Sequence, residues 1–262
     1  MATKDLPETI WKKRDYYDFA RKGSLNTRHP SFRLIQKYAG SAKRILDVGC
    51  GEGTRLALIK NKSAERIGVD VSQTAIALAK SKYPKIKFYK VGESLPFSNG
   101  EFDFVYSAFV LEHVRRPEKF LEEAVRVLAN DGALLLVAPN FGSPNRISPN
   151  STENRFVKLL SGIKKDIVLM FSAKVHSLDW QKVEPKTDSY TIDSDTTVEP
   201  YLLSLERFLK GKGLKIVKAS SLWSQEERLS LFQSPFRILG TIGLAPFKFW
   251  GPHLVVVGKK HV

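Results

Sequence analysis

The sequence is poor in cysteine and has no long apolar run. Among its 262 residues there is one cysteine, Cys50, which excludes an internal disulfide framework and a site built from several cysteines. Residues 1–14 are charged and lack the apolar core of a secretion signal, and no clean apolar run reaches the length of a membrane-spanning helix. We therefore expect a cytoplasmic protein, with peripheral contact to the inner face of a membrane as an open alternative.

Acidic residues are scarce at the two ends of the chain. The formal charge is +15, and residues 1–44 hold 11 Lys and Arg against 4 Asp and Glu. Residues 45–139 hold 13 against 12, and residues 140–262 hold 18 against 11. The middle is nearly neutral, and each end has a net charge of +7. This pattern indicates an acidic partner, namely a phosphorylated or nucleotide-linked substrate, an anionic membrane or nucleic acid. The alternative is a basic surface that serves solubility alone.

The most informative segment is residues 45–54, where an apolar strand ends in three glycines at alternate positions. Asp47 and Glu52 flank this turn, and Asp70 ends the next apolar run. A strand, a glycine turn, a helix and a second strand with a terminal carboxylate form a nucleoside-binding unit. The two flanking carboxylates suit a ligand with an ammonium and a sulfonium group, such as S-adenosylmethionine, better than a pyrophosphate. A dinucleotide-binding domain remains the alternative.

Together with a later block at residues 95–114, this segment resembles the class I S-adenosylmethionine-dependent methyltransferases. The ubiquinone- and menaquinone-type enzymes of the type 11 family are the most similar, over about residues 40–140. The resemblance implies an α/β fold with a Rossmann-like, doubly wound sheet of seven mostly parallel strands and helices on both faces. It also implies that the last strand is antiparallel and lies between strands five and six.

The resemblance further implies roles for individual residues. Asp47 and the turn glycines would line the methionine portion of the cofactor, Asp70 would hold the ribose, and Val71 would pack on the adenine. Val91 stands where many relatives have an acidic residue, so Gly92 and Glu93 are expected to replace that contact. The predicted cofactor-binding residues are Asp47, Gly49, Cys50, Gly51, Gly53, Asp70, Val71, Gly92, Glu93 and Ser107.

His113 is the candidate for acid–base catalysis. Methyl transfer from a sulfonium releases a neutral thioether, so a base is needed only where the acceptor must lose a proton. An imidazole accepts a proton near neutral pH. The alternative is that His113 fixes its loop by hydrogen bonding. The sequence gives no cluster typical of a metal site.

The resemblance predicts one methyltransferase domain over residues 1–262. Residues 1–40 are expected to form a helical cap and residues 41–139 the cofactor-binding core. Residues 140–196 and 222–252 are expected to be insertions that form a substrate lid, and a helix is predicted over residues 198–210. Aromatic and basic residues alternate in 222–250, which indicates either contact with a membrane or a lid packed on the protein's own core.

We expect the acceptor to be an acidic small molecule, glycan or lipid-linked compound that is methylated at oxygen. The chain lacks the Asn-Pro-Pro-aromatic and Pro-Cys motifs with which nucleic-acid methyltransferases act on bases. This lowers the expectation of a nucleic-acid acceptor. An RNA methyltransferase and a non-catalytic binder of S-adenosylmethionine that regulates a partner remain the alternatives.

Overall fold

The computed structural model describes residues 8–186, 191–226 and 230–261. Parts of the expected cap and insertions, residues 1–7, 187–190 and 227–229, lie outside the described residues. The helices are α1 (Glu8–Trp11), α2 (Arg14–Ser24), α3 (Pro30–Ala39), α4 (Thr54–Ala57), α5 (Gln73–Lys82), α6 (Pro117–Val127), α7 (Arg155–Phe171), α8 (Leu202–Gly211) and α9 (Ser234–Thr241). The strands are β1 (Arg44–Val48), β2 (Glu65–Asp70), β3 (Lys87–Lys90), β4 (Phe102–Ala108), β5 (Leu128–Pro139), β6 (Leu214–Ser221) and β7 (His253–Lys260). Short 3₁₀ turns lie at Leu111–His113, Trp223–Gln225 and Phe247–Phe249.

The strands form a seven-stranded sheet with the order β3-β2-β1-β4-β5-β7-β6. The pairs from β3 to β5 are parallel, whereas β7 is antiparallel to both β5 and β6. The predicted Rossmann-like doubly wound sheet is thereby confirmed, including the antiparallel last strand between strands five and six. In such sheets ligands bind at the carboxyl ends of the strands, where the strand order reverses. Here that point lies between β1 and β4.

Apolar side chains cover both faces of the central strands. Along β1 and β4, side chains alternate between the two faces, so Leu46 and Val105 belong to one core while Ile45 and Phe104 belong to the other. The core on the Leu46 side also holds α6 and α8, and the core on the Ile45 side holds α3 and α5. Strands buried on both faces explain the unbroken apolar run in β5.

Two parts of the second half differ from the sequence-based expectation. The helix predicted over residues 198–210 begins at Leu202, because the backbone before it is extended. Val198 forms a bridge with Lys182, and its amide donates to the carbonyl of Glu112. The long helix α7 lies in the first insertion, where the sequence pattern predicted none. Asn154 caps it by accepting a hydrogen bond from the amide of Phe156 (2.9 Å).

The two insertions contact each other and the sheet. Gln233, which precedes α9, accepts a hydrogen bond from the side-chain amide of Asn145 (2.6 Å). Trp250 is fully buried and donates to Asp166 of α7 (2.7 Å). Within the ranges that the structure describes, no helix combines the length and the apolar character needed to cross a bilayer.

The N-terminal helices lie against the carboxyl end of β2. The carbonyl of Trp11 accepts hydrogen bonds from the hydroxyls of Tyr17 (3.1 Å) and Ser72 (2.9 Å). Ser72 also caps α5 by accepting from the amide of Ala75 (3.2 Å). The first helices are therefore tied to the strand end that carries Asp70.

Candidate active site

The glycine turn after β1 is shaped by three residues in the left-handed region. Gly49, Gly51 and Gly53 have φ values of 80°, 53° and 80°, which side chains with a Cβ rarely adopt. A Cβ added to Gly49 would lie 2.4 Å from Val110, and one added to Gly53 would lie 2.7 Å from Phe88. Around Gly51, by contrast, no atom lies within 4 Å of such a Cβ. Gly49 and Gly53 thus allow close packing, while Gly51 leaves open space.

Two carboxylates lie beside this open space. Asp70 accepts hydrogen bonds from the amides of Gly51 (2.9 Å) and Ser72 (2.8 Å). Asp47 is buried and accepts a hydrogen bond from the hydroxyl of Tyr106 (2.7 Å). Burial raises the pKa of Asp47 to about 7 and also raises the pKa of Asp70. Both groups therefore gain from a ligand that brings a positive charge or hydrogen-bond donors.

Glu52, the third acidic residue of the turn, is held from two sides. The hydroxyl of Thr54 donates to it (2.5 Å), and the ammonium of Lys82 lies 3.7 Å away. The side chain is buried and lies in the wall of the same cavity as Asp47. Thr54 and Lys82 therefore hold the carboxylate of Glu52 in a fixed position in the cavity wall.

A cavity of about 860 Å³ lies at the carboxyl ends of β1, β2 and β4. This volume is within the range for small-molecule and cofactor sites. Most of the predicted site residues are in its wall, namely Asp47, Gly49, Cys50, Gly51, Asp70, Val71, Gly92, Glu93 and His113. The structure thus brings together residues from four strand ends and their loops.

Two predicted residues lie behind the wall rather than in it. Gly53 packs against Phe88 and Ala79, so its part is to let the turn approach β3. Ser107 is buried on the other face of β4, because side chains alternate along a strand and its neighbours Tyr106 and Ala108 face the turn. Neither residue lines the cavity, so the cofactor contact predicted for Gly53 and Ser107 stays a prediction.

His113 lies between two acidic side chains. Its Nδ1 is 3.2 Å from the backbone oxygen of Asp195 and 3.6 Å from the carboxylate of that residue. Its Nε2 is 3.7 Å from Oε1 of Glu112. Burial lowers the pKa of His113, but the negative charges of Asp195 and Glu112 outweigh it and the net change is upward. His113 therefore joins two carboxylates rather than standing alone in the cavity.

Glu112 was not singled out by the sequence, although it lies next to His113 in the same motif. Its side chain is buried in the cavity wall, and its Oε2 has no hydrogen-bond partner among the described residues. Burial raises the pKa of this carboxyl to about 7. A carboxyl with this pKa exchanges a proton readily at neutral pH.

Comparison with known proteins identifies the core. The family model described as a methyltransferase domain matches residues 46–136. The chain carries a class I S-adenosylmethionine-dependent methyltransferase domain. A probable S-adenosylmethionine-dependent methyltransferase of Mycobacterium tuberculosis is 34% identical over 112 residues, which is 42% of this chain and 41% of the relative. An uncharacterized protein of Methanocaldococcus jannaschii is 30% identical over 185 residues, 70% of this chain and 66% of that protein.

Solved structures agree with this fold. An S-adenosylmethionine-dependent methyltransferase from Mesorhizobium loti has a TM-score of 0.58 at 16% identity, over 90% of this chain and 99% of that one. A methyltransferase from Archaeoglobus fulgidus has a TM-score of 0.57 at 17% identity, over 94% and 100%. The matched part of the chain spans less than half the length of the first curated relatives, so the sequence similarity concerns the cofactor-binding core.

The methyltransferase domain offers S-adenosylmethionine a fitting site. Gly51 leaves room for a ligand at the turn, and Asp47 provides a negative charge for its ammonium group. Asp70, at the end of β2, is placed to accept hydrogen bonds from ribose hydroxyls, and Val71 beside it is half exposed (51%) for contact with a base. No group of three or more His, Cys, Asp or Glu side chains in the described ranges has the arrangement of a metal site.

Two histidines in the cavity of the methyltransferase domain were missed by the sequence analysis. His29 Nδ1 accepts from the amide of Ser31 (3.2 Å), so neutral His29 carries its hydrogen on Nε2 and donates to Nδ1 of His253 (3.1 Å). Neutral His253 then carries its own hydrogen on Nε2, where it is a donor. Burial lowers the pKa of each ring to about 4, and the charge of Arg55 adds to this effect at His29.

Phe109 and Arg55 complete this part of the wall. The ring of Phe109 packs edge-to-face on His29 (5.6 Å between centroids) and His253 (5.3 Å). The guanidinium of Arg55 lies 5.4 Å from the centre of the Phe109 ring and donates to the carbonyl of Ala108 (3.0 Å). These residues come from distant parts of the chain, so no local motif could have revealed them.

The N-terminal helices close another side of the cavity. Asp195 accepts hydrogen bonds from Trp11 Nε1 (3.1 Å) and the hydroxyl of Tyr16 (3.0 Å), and the ring of Trp11 packs edge-to-face on His113. Asp195 thereby links the first insertion, the N-terminal helices and His113.

Proposed function

We propose that this chain transfers the methyl group of S-adenosylmethionine to an oxygen of an acidic small-molecule, glycan or lipid-linked acceptor. The observation that carries the proposal is the unpartnered Oε2 of buried Glu112 in the cavity wall. A hydroxyl acceptor must lose its proton as it attacks, and Glu112, in the wall of the cavity, is a base that can receive it.

Glu112 and His113 act together in this proposal. When bound, the cofactor supplies a methyl group on a sulfonium sulfur, so the chain's own part is to orient the acceptor, exclude water and take up one proton. Glu112 receives that proton on Oε2. His113, 3.7 Å from Oε1, stabilises the carboxylate before the transfer, and Asp195 keeps the imidazole in place. The proposal thus assigns the proton-accepting role predicted for His113 to its neighbour Glu112 and makes His113 a positioning residue.

The acidic character of the acceptor rests on Arg55 and His253. Arg55 brings a permanent positive charge into the cavity, and His253 brings a donor on Nε2. A guanidinium and an imidazole N–H suit a carboxylate or phosphate oxygen. The net positive charge of residues 1–44 and 140–262 favours the same kind of ligand, since it attracts anions toward the protein.

The test is methylation with labelled S-adenosylmethionine in an extract of the cells that make the protein. The extract is separated into water-soluble metabolites, lipids and glycolipids, RNA and protein, and the label in each fraction is counted. We expect label in the metabolite or lipid fraction, removed by treatments that cleave methyl ethers, and incorporated about 10²-fold more slowly with Glu112→Gln. Label confined to RNA, with binding that weakens steeply with salt, would replace the proposal by the RNA alternative.

A second measurement distinguishes an enzyme from a non-catalytic regulator. Binding of S-adenosylmethionine is measured by calorimetry on the same preparation. Binding together with label in a small-molecule fraction supports the proposal. Binding without label in any fraction would contradict it and support a non-catalytic role.

A further inference from the structure

Helix α7 buries two charged side chains and leaves several apolar side chains exposed. Lys158 is buried, where it donates to the carbonyl of Phe141 (3.0 Å) and pairs with the carboxylate of Glu199. Asp166 is fully buried and accepts from Tyr201 (2.5 Å) and Trp250 (2.7 Å). A helix on the surface of a water-soluble domain normally faces the core with its apolar side. Here Leu169 does pack on the core, but the buried polar bonds hold α7 so that a second apolar side remains exposed.

The outer face of α7 is mostly apolar. Leu160 is 71% exposed and Phe171 is 86% exposed. Steps of three, four and seven residues separate the exposed apolar residues, which places them along one side of the helix, in two groups with the exposed Lys164 between them. They are Phe156, Val157, Leu160, Ile167, Val168 and Phe171.

The surface continues onto the segment around α9. Phe156 packs edge-to-face on Phe232 (6.3 Å between centroids), and Phe232 packs on Phe236 of α9 (5.5 Å). Beyond these rings, Leu231, Ile238 and Ile242 are exposed. We refer to the exposed apolar residues of α7, together with Leu231, Ile238 and Ile242, as the apolar surface. Exposed apolar patches of this kind mark contact with another protein or with a membrane.

The charge around the apolar surface is positive. Arg155 and Lys164 are exposed on α7, and Lys248 is exposed after α9. The only acidic residue in α7 is the buried Asp166, and residues 230–252 contain no Asp or Glu. A second copy of the chain would bring like charges together, whereas an anionic lipid surface complements them.

The apolar surface also borders a second, smaller cavity. This cavity of about 210 Å³ is lined by Arg155, at the start of α7, and by Gln233, which precedes α9. It shares Pro139, Asp193 and His253 with the wall of the large cavity, so the two cavities are adjacent.

We propose that the apolar surface docks on an anionic lipid bilayer, with its side chains inserted among the acyl chains and its basic residues at the head groups. This extends the membrane contact predicted for residues 222–250 to α7, which supplies most of the inserted side chains. The proposal goes beyond the proposed function, because docking requires neither an acceptor nor methyl transfer.

The test is co-sedimentation with vesicles of phosphatidylcholine alone and of phosphatidylcholine mixed with phosphatidylglycerol. The wild type is compared with Leu160→Glu/Phe171→Glu and with the control Val217→Glu, which places a charge at a half-exposed apolar position on β6. We expect the wild type and the control to sediment with the mixed vesicles. We expect the double variant to bind the mixed vesicles at least about tenfold more weakly than the wild type, since two inserted apolar side chains are lost.

Folding and self-association are measured on the same samples. Calorimetric binding of S-adenosylhomocysteine at wild-type affinity shows that the double variant is folded, and light scattering gives the oligomeric state. Wild-type protein that stays in the supernatant, or a double variant that binds as well as the wild type, would overturn the proposal. A dimeric wild type together with a monomeric double variant would also overturn it, because the apolar surface would then be covered by a second copy of the chain. Methylation of a soluble acceptor is scored separately, so loss of docking and loss of activity are distinguishable.

Discussion

Tyr106 of β4 donates its hydroxyl hydrogen to Asp47 of β1 across 2.7 Å. Both side chains are buried, so this bond joins two neighbouring strands at the edge of the glycine turn. Burial raises the pKa of Asp47 to about 7, and the bond from Tyr106 works against that rise. Tyr106 therefore helps to keep Asp47 ionised for a cationic ligand.

Tyr106→Phe is expected to weaken binding of S-adenosylmethionine at neutral pH by about tenfold, since a hydrogen bond to a charged group is lost. Removing the bond raises the pKa of Asp47 further, so less of it is ionised at neutral pH. Affinity is expected to rise with pH through about 7 in the wild type and at higher pH in the variant. Calorimetry across this pH range measures the affinity and its pH dependence. Tyr89→Phe, at an exposed tyrosine, serves as the control. Equal affinities and equal pH profiles would contradict this role of Tyr106.

Substitution by alanine is expected to have different effects at Gly49 and Gly51. Gly51→Ala places its Cβ in open space, so its main effect is weaker cofactor binding, with a cost in stability limited to about 1 kcal/mol for the positive φ. Gly49→Ala adds a clash with Val110 and is expected to unfold at clearly lower temperature. Thermal unfolding and cofactor titration of both variants check this. A Gly51→Ala protein with normal affinity would show that no ligand approaches this position.

Glu112→Gln is expected to lower the methylation rate by about 10²-fold, the usual contribution of a general base. The wild-type rate should increase as pH rises through about 7, because the base acts in its ionised form, and the variant should lose this increase. The measurement is kcat against pH with the acceptor identified from the extract. Glu122→Gln, on the exposed side of α6, is the control. A variant that retains both the rate and the pH profile would exclude Glu112 as the base.

The histidine pair is expected to reduce stability in acid. The pKa of both His29 and His253 is lowered to about 4 in the fold, against about 6.5 in an unfolded chain. Between these values the unfolded chain binds more protons, so their contribution to stability is complete above about pH 6.5 and is lost as pH falls toward 4. His253→Gln should reduce this acid-dependent loss by on the order of 1–3 kcal/mol.

Urea unfolding of the wild type and His253→Gln at about pH 7 and about pH 5 tests this difference. The raised pKa values of Asp47 and Glu112 act in the opposite direction, so the comparison is between variants and not between pH values alone. His176→Gln, at an exposed position, serves as control and should behave as the wild type. An unchanged pH dependence in His253→Gln would contradict the lowered pKa values.

The sequence pattern and the family resemblance were sufficient to predict the sheet and to bring most of the predicted cofactor-binding residues to one cavity. Strand, glycine turn and terminal carboxylate are consecutive in residues 45–70, so local patterns place Asp47, Gly51 and Asp70 together. The antiparallel β7 followed from the family resemblance and is confirmed by its pairing with β5 and β6.

The other half of the site depends on contacts between distant segments. His29 and His253 are 224 positions apart, and Trp11 meets Asp195 across 184 positions, so no spacing rule connects them. Ser107 does not line the cavity, because the sequence placed it in β4 without showing on which face of the strand its side chain lies. Helix α7 was missed because its apolar residues lie on both the buried and the exposed side, which weakens the pattern of a single apolar stripe.

The central claim is that the cavity at the ends of β1, β2 and β4 binds S-adenosylmethionine through Asp70 and the glycine turn. Calorimetric titration of S-adenosylmethionine into the wild type and Asp70→Asn tests it most directly. We predict that the wild type binds one equivalent and that Asp70→Asn binds at least about tenfold more weakly, since hydrogen bonds to a charged acceptor are lost. Absence of binding to the folded wild type, or equal affinity in Asp70→Asn, would contradict the claim.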